Sequence, residues 1–172
     1  KGPLVDITIL TAATGNSEFG YFANYQARVN RVDYSNDTAT AVAKGPLSVA
    51  RYYIGATSRK AYGLPDTSRI SPVATNFGYF GGSKPSSSTV DRIDYSNDTA
   101  TSSVKGPLSA GRYLAGATGN SSFGYVGGGS GPVSTVDRVD YSNDTATAAA
   151  KGPLSVARGF VTATGNASFG YF

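Results

Sequence analysis

Short runs of apolar and aromatic residues alternate along the whole chain with Gly, Asn, Asp and Pro. The runs are rich in Val, Ile, Tyr, Phe and Thr, which favour strands, and the residues between them favour turns. Between residues 105 and 150 the pattern predicts four strands, which we call A to D, at about 111–117, 123–128, 134–141 and 145–150. Gly119-Asn120 and Asn143-Asp144 can supply left-handed conformations for tight A–B and C–D turns. The pattern therefore predicts an antiparallel meander.

The same meander is predicted several times, because the chain repeats one module. Copies of Lys-Gly-Pro-Leu begin at Lys1, Lys44, Lys105 and Lys151. The segment Asp-Tyr-Ser-Asn-Asp-Thr-Ala-Thr is unchanged at 33–40, 94–101 and 140–147. These landmarks divide a single segment, 1–172, into units 1–43, 44–104 with an insertion at about 58–75, 105–150, and a half unit 151–172. A period of about 45 residues is typical of a propeller blade, so the chain is predicted to be all-β and built of four-stranded blades.

The order of landmarks within a unit resembles the kelch repeat. A Pro and an Arg precede strand A, an aromatic strand ends in Gly-Gly, and a further strand ends in Asp-Tyr. The matching residues are Pro46, Arg51, Tyr79, Gly81, Gly82, Asp94 and Tyr95 in the second unit, and Pro107, Arg112, Tyr125, Gly127, Gly128, Asp140 and Tyr141 in the third. The resemblance implies a β-propeller with strand A innermost and strand D outermost. The near-copy repetition also resembles repeat-rich virion or appendage proteins of marine phages.

The chain departs from the kelch pattern at three points. It has no Trp, and its first unit has Thr8 in place of the Arg and Ala23-Asn24 in place of the Gly pair. Three and a half blades also leave two open edges, whereas propellers close with about 4–8 blades. The chain is therefore expected to be a fragment of a longer propeller, with a ring completed by another copy or an edge-to-edge filament as alternatives. The fragment is favoured because the first residue, Lys1, is not a Met. In addition, the sequence ends at Phe172, the position after which the second and third units continue with Gly-Gly.

Composition narrows the chemistry. The 172 residues include no Cys, Met, Trp or His, which excludes thiolate, imidazole and zinc chemistry. No cofactor or metal site is predicted, and the chain is not expected to be an enzyme. The acidic pair Asp91 and Asp94 adjoins Arg92 and is interpreted as part of a salt-bridged blade.

Basic residues are dispersed over every unit, and 15 Lys and Arg against 11 Asp and Glu give a net charge of +4. On one face of a ring they would form a candidate anion-binding site of Lys1, Lys44, Lys105, Lys151, Arg51, Arg112 and Arg158. The favoured alternative pairs each Arg with an aspartate such as Asp94 or Asp140 and leaves each Lys solvated. Because the cations are dispersed, no nucleic-acid partner is predicted. No apolar run is long enough to predict a membrane span.

Asn-rich turns are predicted on the opposite face. Candidate N-glycosylation sites there are Asn36, Asn97, Asn143, Asn120 and Asn166, although the same residues are ordinary turn formers. Asp94, Ser96 and Asp98 have the spacing of calcium ligands, but the Gly and Glu that complete such a loop are absent. A turn capped by its own side chains is therefore favoured over a calcium site.

The insertion of the second unit is the candidate binding loop. It contains Arg59, Lys60, Tyr62, Asp66 and Arg69, a set of charged groups and one aromatic ring suited to a polar partner. A neutral insertion is equally consistent with the sequence, because loop closure tolerates added length at little cost.

Together these features predict a non-enzymatic structural or interaction module of a larger extracellular or virion-surface assembly. Its expected partners are other protein segments or copies that complete the ring, with glycans as a further candidate. A lectin-like binder of glycans and a subunit of a fibril assembled through open blade edges are the alternatives.

Overall fold

The computed structural model describes residues 2–5, 12–58 and 77–172. These residues contain strands and short 3₁₀ turns, and the prediction of an all-β chain is confirmed. The strands are β1 Ala12–Gly15, β2 Phe19–Ala23, β3 Val29–Asp33, β4 Val42–Lys44, β5 Gly55–Ser58, β6 Phe77–Gly81, β7 Val90–Asp94, β8 Ser103–Lys105, β9 Gly116–Gly119, β10 Phe123–Gly127, β11 Val136–Asp140, β12 Ala149–Lys151, β13 Thr164–Gly165 and β14 Gly170–Tyr171. The 3₁₀ turns are Tyr34–Asn36 and Tyr95–Asn97.

Consecutive strands pair antiparallel, so each sheet is a meander. Sheet 1 contains β1 to β4, sheet 2 contains β5 to β8, and sheet 3 contains β9 to β12. Sheet 4 contains, of the described strands, β13 and β14. Equivalent residues take the same register in each sheet: Tyr21 lies opposite Arg31, Tyr79 opposite Arg92 and Tyr125 opposite Arg138. The repeated sequence thus gives a repeated sheet.

The apolar core lies between neighbouring sheets. One buried cluster joins Tyr21 and Val29 of sheet 1 to Phe80 and Ile93 of sheet 2. A second cluster joins Tyr79 of sheet 2 to Val126 and Val139 of sheet 3 in the same way. Because fully burying one such side chain stabilises the fold by about 1.5–3 kcal/mol, these clusters hold the sheets face to face.

The predicted A–B region of the third unit is wrong in two details. Strand A was expected at 111–117, but Leu114 has a φ of 58° and interrupts the extended chain, so β9 begins at Gly116. Gly119 belongs to β9 and is not left-handed. The turn is made instead by Asn120, whose side-chain oxygen accepts the backbone N–H groups of Ser122 and Phe123.

The C–D turn also forms differently from the prediction. No left-handed residue occurs at Asn143-Asp144. The Asp140 side chain accepts hydrogen bonds from the backbone N–H and the hydroxyl of Ser142, and this stabilises the turn. The chain from 145 to 148 is not a strand, so the predicted strand D at 145–150 is reduced to β12.

Candidate functional site

The most elaborate polar site joins sheet 1 to sheet 2, and we call it the first ion cluster. Asp98, from the turn after β7, receives hydrogen bonds from the Tyr21 hydroxyl at 2.9 Å and from Arg31 Nη1 at 2.8 Å. The Lys44 ammonium lies 3.1 Å from its second oxygen. The backbone N–H of Gly45 donates to the Asp98 carbonyl at 2.7 Å. One turn of sheet 2 is therefore bound by three strands of sheet 1.

The second ion cluster repeats this arrangement between sheets 2 and 3. Asp144 receives the Tyr79 hydroxyl at 2.9 Å and Arg92 Nη1 at 2.7 Å. The Lys105 ammonium lies 3.4 Å from its other oxygen. The Gly106 N–H donates to the Asp144 carbonyl at 2.8 Å. The repeated sequence thus produces a repeated contact between sheets.

A stacked pair of tyrosines lies beside each ion cluster. Tyr95 stacks on Tyr21 with the ring centroids 4.5 Å apart, and its hydroxyl is 2.9 Å from Thr14 Oγ1. In the next interface Tyr141 stacks on Tyr79 at 4.7 Å, with its hydroxyl 3.2 Å from Thr57 Oγ1. The segment Tyr-Ser-Asn-Asp therefore supplies a ring and a carboxylate to the preceding sheet.

The ion cluster keeps Asp98 ionised. Burial raises the pKa of its carboxyl, but the hydrogen bonds from Lys44 and Tyr21 and the charge of Arg31 outweigh burial and hold the pKa below its usual value. Burial, with the hydrogen bond to Asp98, raises the pKa of Tyr21 above its usual range. Burial also raises the pKa of Tyr95 to about 12. These tyrosines are therefore neutral donors or acceptors near neutral pH.

A second polar motif is buried inside each of the units that contain sheets 2 and 3. Arg51, 2% exposed, forms an ion pair with Asp91, which is fully buried and also accepts two hydrogen bonds from Ser48. Burial lowers the pKa of Arg51, although the charge of Asp91 opposes this shift. Arg112 and Asp137 form the equivalent pair at 2.9 Å.

The cations of the candidate anion site are thus mostly engaged. The structure pairs Arg51 and Arg112 with Asp91 and Asp137, not with the aspartates named from the sequence, which cap their own turns. The two lysines expected to be solvated, Lys44 and Lys105, are in the ion clusters. The remaining described members, Lys151 and Arg158, are exposed. Lys1 lies outside the described residues.

The sequon asparagines lie on turns. Asn36, Asn97, Asn143 and Asn166 are exposed, and Asn120 is half-buried. Asn120 and Asn166 each accept two backbone N–H groups of their own turn, as expected for turn formers. The calcium spacing does not produce a site, because the Asp94 carboxylate bonds to Ser96 while the Asp98 carboxylate faces sheet 1. Among the described residues, no cluster of three or more acidic side chains could hold a metal ion.

The candidate binding loop, with Arg59, Lys60, Tyr62, Asp66 and Arg69, lies outside the described residues. Clefts are also present among the described residues, and two of them are relevant here. One, of about 200 Å³, lies between sheets 3 and 4 and is lined by Thr118, Tyr125 and Phe172 among others. The other, of about 430 Å³, is lined by Arg51, Lys84 and the serines of the loop after β6.

Sequence reasoning missed the ion clusters. It interpreted the second aspartate of Asp-Tyr-Ser-Asn-Asp-Thr as a turn former or calcium ligand, because the partners of Asp98 and Asp144 lie 39 to 77 positions away. The available signal was that a Tyr, an Arg and a Lys recur in the same order three times, with each Lys 13 residues after its Arg.

Comparison with known proteins adds no assignment. No protein-family model matches the chain, and no curated protein matches its sequence. In the part of the chain that the structure describes, no helix is sufficiently long and apolar to span a membrane.

Proposed function

We propose that the chain is a non-enzymatic structural or interaction module whose sheets are blades of a kelch-like β-propeller. In support, the first strands of successive sheets are neighbours: β1 contacts β5, β5 contacts β9, and β9 contacts β13. The later strands of each meander then extend away from this common side. Such an order is expected where sheets radiate from an axis.

The two ion clusters carry the proposal. Each places a buried carboxylate between the sheets, where it receives hydrogen bonds from a tyrosine and an arginine and lies beside a lysine. A catalytic acid or base must reach a substrate. Asp98 and Asp144 are instead covered by protein, so their role is to join sheets.

Substitution of these carboxylates tests the proposal. We expect Asp98→Asn and Asp144→Asn each to lower the free energy of unfolding by about 1.5–3 kcal/mol, because each loses charge-assisted hydrogen bonds. Glu18→Gln, at an exposed site, is the matched control. Urea unfolding followed by tyrosine fluorescence measures the difference. If the Asn variants are as stable as the wild type or more stable, the proposal is contradicted. Substitution of a residue that serves ligand binding often raises stability, whereas substitution of one that joins sheets must lower it.

We place this module in a larger extracellular or virion-surface assembly. The absence of Cys and Met suits an oxidising exterior, and only 15% of residues are charged. Other protein segments or copies of the repeat are the proposed partners.

A lectin-like function is the second candidate, favoured by surface tyrosines. Tyr52, 42% exposed, stacks on Tyr25 at 5.9 Å, and its backbone pairs with Lys84 at the 430 Å³ cleft. Glycan-array binding that is lost in Tyr52→Ala, and separately in the loop variants Tyr62→Ala and Arg69→Ala, would support this function. No binding at millimolar sugar would reject it.

A fibril subunit is the third candidate, favoured by apolar side chains exposed around sheet 4. Phe160, Phe169 and Tyr171 are 81%, 63% and 59% exposed. Light scattering and electron microscopy of the purified chain test this function, and a stable monomer would reject it.

A further inference from the structure

Sheet 3 carries a third copy of the residues that form the ion clusters. Tyr125 lies opposite Arg138, and Lys151 lies opposite Val136, in the register that Tyr79, Arg92 and Lys105 take in sheet 2. Arg138 also rests 4.2 Å above the Phe123 ring, as Arg31 rests 4.2 Å above Phe19. We call Tyr125, Arg138, Lys151 and Gly152 the acceptor face.

No carboxylate occupies this face among the described residues. Arg138 and Lys151 have no ion pair there, and Lys151 is exposed. The glycines of the Lys-Gly-Pro-Leu copies show independently whether a neighbouring turn covers this part of each sheet. A Cβ on Gly106 would lie 1.9 Å from the Ala146 carbonyl oxygen, whereas a Cβ on Gly152 would meet nothing within 4 Å. The backbone that covers the earlier glycine has no counterpart here.

The 200 Å³ cleft lies where a tyrosine ring would complete the arrangement. In sheets 1 and 2 that ring stacks on Tyr21 or Tyr79 and approaches Thr14 or Thr57. The equivalent residues of sheet 3, Tyr125 and Thr118, both line the cleft. It can therefore accept the aromatic member of a Tyr-Ser-Asn-Asp segment.

The neighbouring sheet has an edge for the same segment. Among the described residues β14 pairs only with β13, whereas β2, β6 and β10 each pair with strands on both sides. The open edge of β14 can pair with an extended peptide through backbone hydrogen bonds. The acceptor face, the cleft and the open edge thus match three parts of one C–D hairpin.

We infer that the acceptor face binds a β-hairpin bearing Tyr-Ser-Asn-Asp-Thr, supplied by a polypeptide segment outside these 172 residues. The aspartate contacts Tyr125, Arg138 and Lys151. The tyrosine enters the cleft, and the first strand of the hairpin pairs with β14. The inference rests on the proposed function and names its partner.

We do not propose a second copy of this chain as the molecule that binds the acceptor face. Its two later turns are already bound, through Asp98 to sheet 1 and through Asp144 to sheet 2. The first turn also has a partner, because the Asp37 carbonyl accepts the N–H of Gly2 at 2.6 Å. A hairpin from a further repeat does not have to break such contacts.

A fluorescently labelled peptide with the sequence of residues 136–150 tests the inference. The chain is added to the peptide at concentrations up to about 1 mM, and binding is followed by fluorescence anisotropy. We expect saturable binding that weakens at least tenfold when the peptide residue equivalent to Asp144 is changed to Asn.

Gly152→Val in the chain should abolish binding of the peptide, because the bound hairpin would cover Gly152 and clash with the valine side chain. The same change should leave the stability of the free chain unaltered, because Gly152 has no close neighbour before the peptide binds. Glu18→Gln, at an exposed position of the turn between β1 and β2, is the control and should bind normally.

A second experiment joins the hairpin covalently to the chain, so that binding no longer carries the entropic cost of bringing two molecules together. Residues 127–150 are appended after Phe172, and urea unfolding compares this chain with versions carrying the Asp→Asn change in the appended turn or Gly152→Val. A stability gain that both changes abolish supports the inference. No binding and no gain, or effects indifferent to these changes, would overturn it. Self-association of the chain without peptide that Gly152→Val abolishes would also overturn it, in favour of a second copy.

These outcomes separate the inference from the proposed function. If the acceptor face binds nothing while Asp98→Asn and Asp144→Asn destabilise the chain, only the inference fails. If those two variants are as stable as the wild type, the proposed function fails first.

Discussion

At the scale of single residues, the described chain relies on charged side chains in apolar surroundings. Arg51 and Asp91 are 2% and 0% exposed, and the carboxylate is further held by Ser48. Desolvating two such charges is unfavourable, so the pair is tolerated only while both partners are present. Its repetition as Arg112 and Asp137 gives an internal replicate.

Removing one partner should therefore be severe. We expect Asp91→Ala to lower the free energy of unfolding by about 3–5 kcal/mol, because it leaves the Arg51 guanidinium buried and uncompensated. Asp137→Ala should behave alike. Arg158→Ala, at the exposed counterpart of Arg51 and Arg112, is the control and should change stability by less than about 0.5 kcal/mol. Equal effects of the buried and exposed changes, measured by urea unfolding, would contradict the account.

Acid should weaken the fold through Asp98. Its pKa is lowered in the folded chain, so the unfolded chain takes up a proton first as the pH falls. Stability is therefore complete above about pH 4 and is lost progressively below it. Hydrogen bonds from Ser35 and Ser142 lower the pKa values of Asp33 and Asp140 and act in the same direction. Melting temperatures between about pH 2 and 6 should fall less steeply in Asp98→Asn than in the wild type, and parallel curves would be the contrary result.

At the scale of elements, the Lys-Gly-Pro-Leu copies show how one sequence meets different surroundings. The glycine is not needed for a positive φ, since neither Gly106 nor Gly152 has one. Gly106 is needed for close approach, because a Cβ would lie 1.9 Å from the Ala146 carbonyl oxygen. Gly152 has no such neighbour.

The same substitution should consequently have two outcomes. Gly106→Ala should destabilise the chain by about 1–3 kcal/mol or more, because backbone must move to admit the methyl group. Gly152→Ala should stay within about 0.5 kcal/mol of the wild type. Urea unfolding of the two variants measures the contrast. Comparable losses would mean that the glycines are kept for another reason.

Strand prediction succeeded where local pattern decides structure. Strand B was expected at 123–128 and β10 is Phe123–Gly127, because its alternation and flanking turns are local. Strand A was displaced because Leu114 is left-handed. Tyr53 and Phe160 take the same conformation at equivalent positions, and none of the three is a Gly or Asn that would signal it.

The ion clusters could not be predicted from the local sequence pattern. Asp98 and its partners meet only after two sheets have packed together, so no spacing within one unit identifies them. The sequence correctly indicated that some basic residues pair with aspartates, but not which ones. Arg51 was identified, whereas its partner Asp91 was assigned to a different salt bridge.

For the molecule as a whole, we propose that consecutive sheets radiate from a common axis. The neighbouring first strands and the ion clusters support it, since both recur from sheet to sheet. A linear stack of sheets is the alternative. The two arrangements differ in how far apart equivalent residues of the first and third sheets lie.

Distances between spin labels decide this question, and the absence of cysteine makes labelling simple. Thr38, Thr99 and Thr145 are equivalent, exposed positions in sheets 1, 2 and 3. Cysteines introduced there in pairs give three distances by pulsed electron spin resonance. If the sheets surround an axis, we expect equal neighbour distances and a 38–145 distance of about 1.4–1.85 times that value, as in rings of 4–8 blades. A ratio of about 2, the value for a straight stack of equally spaced sheets, would contradict it.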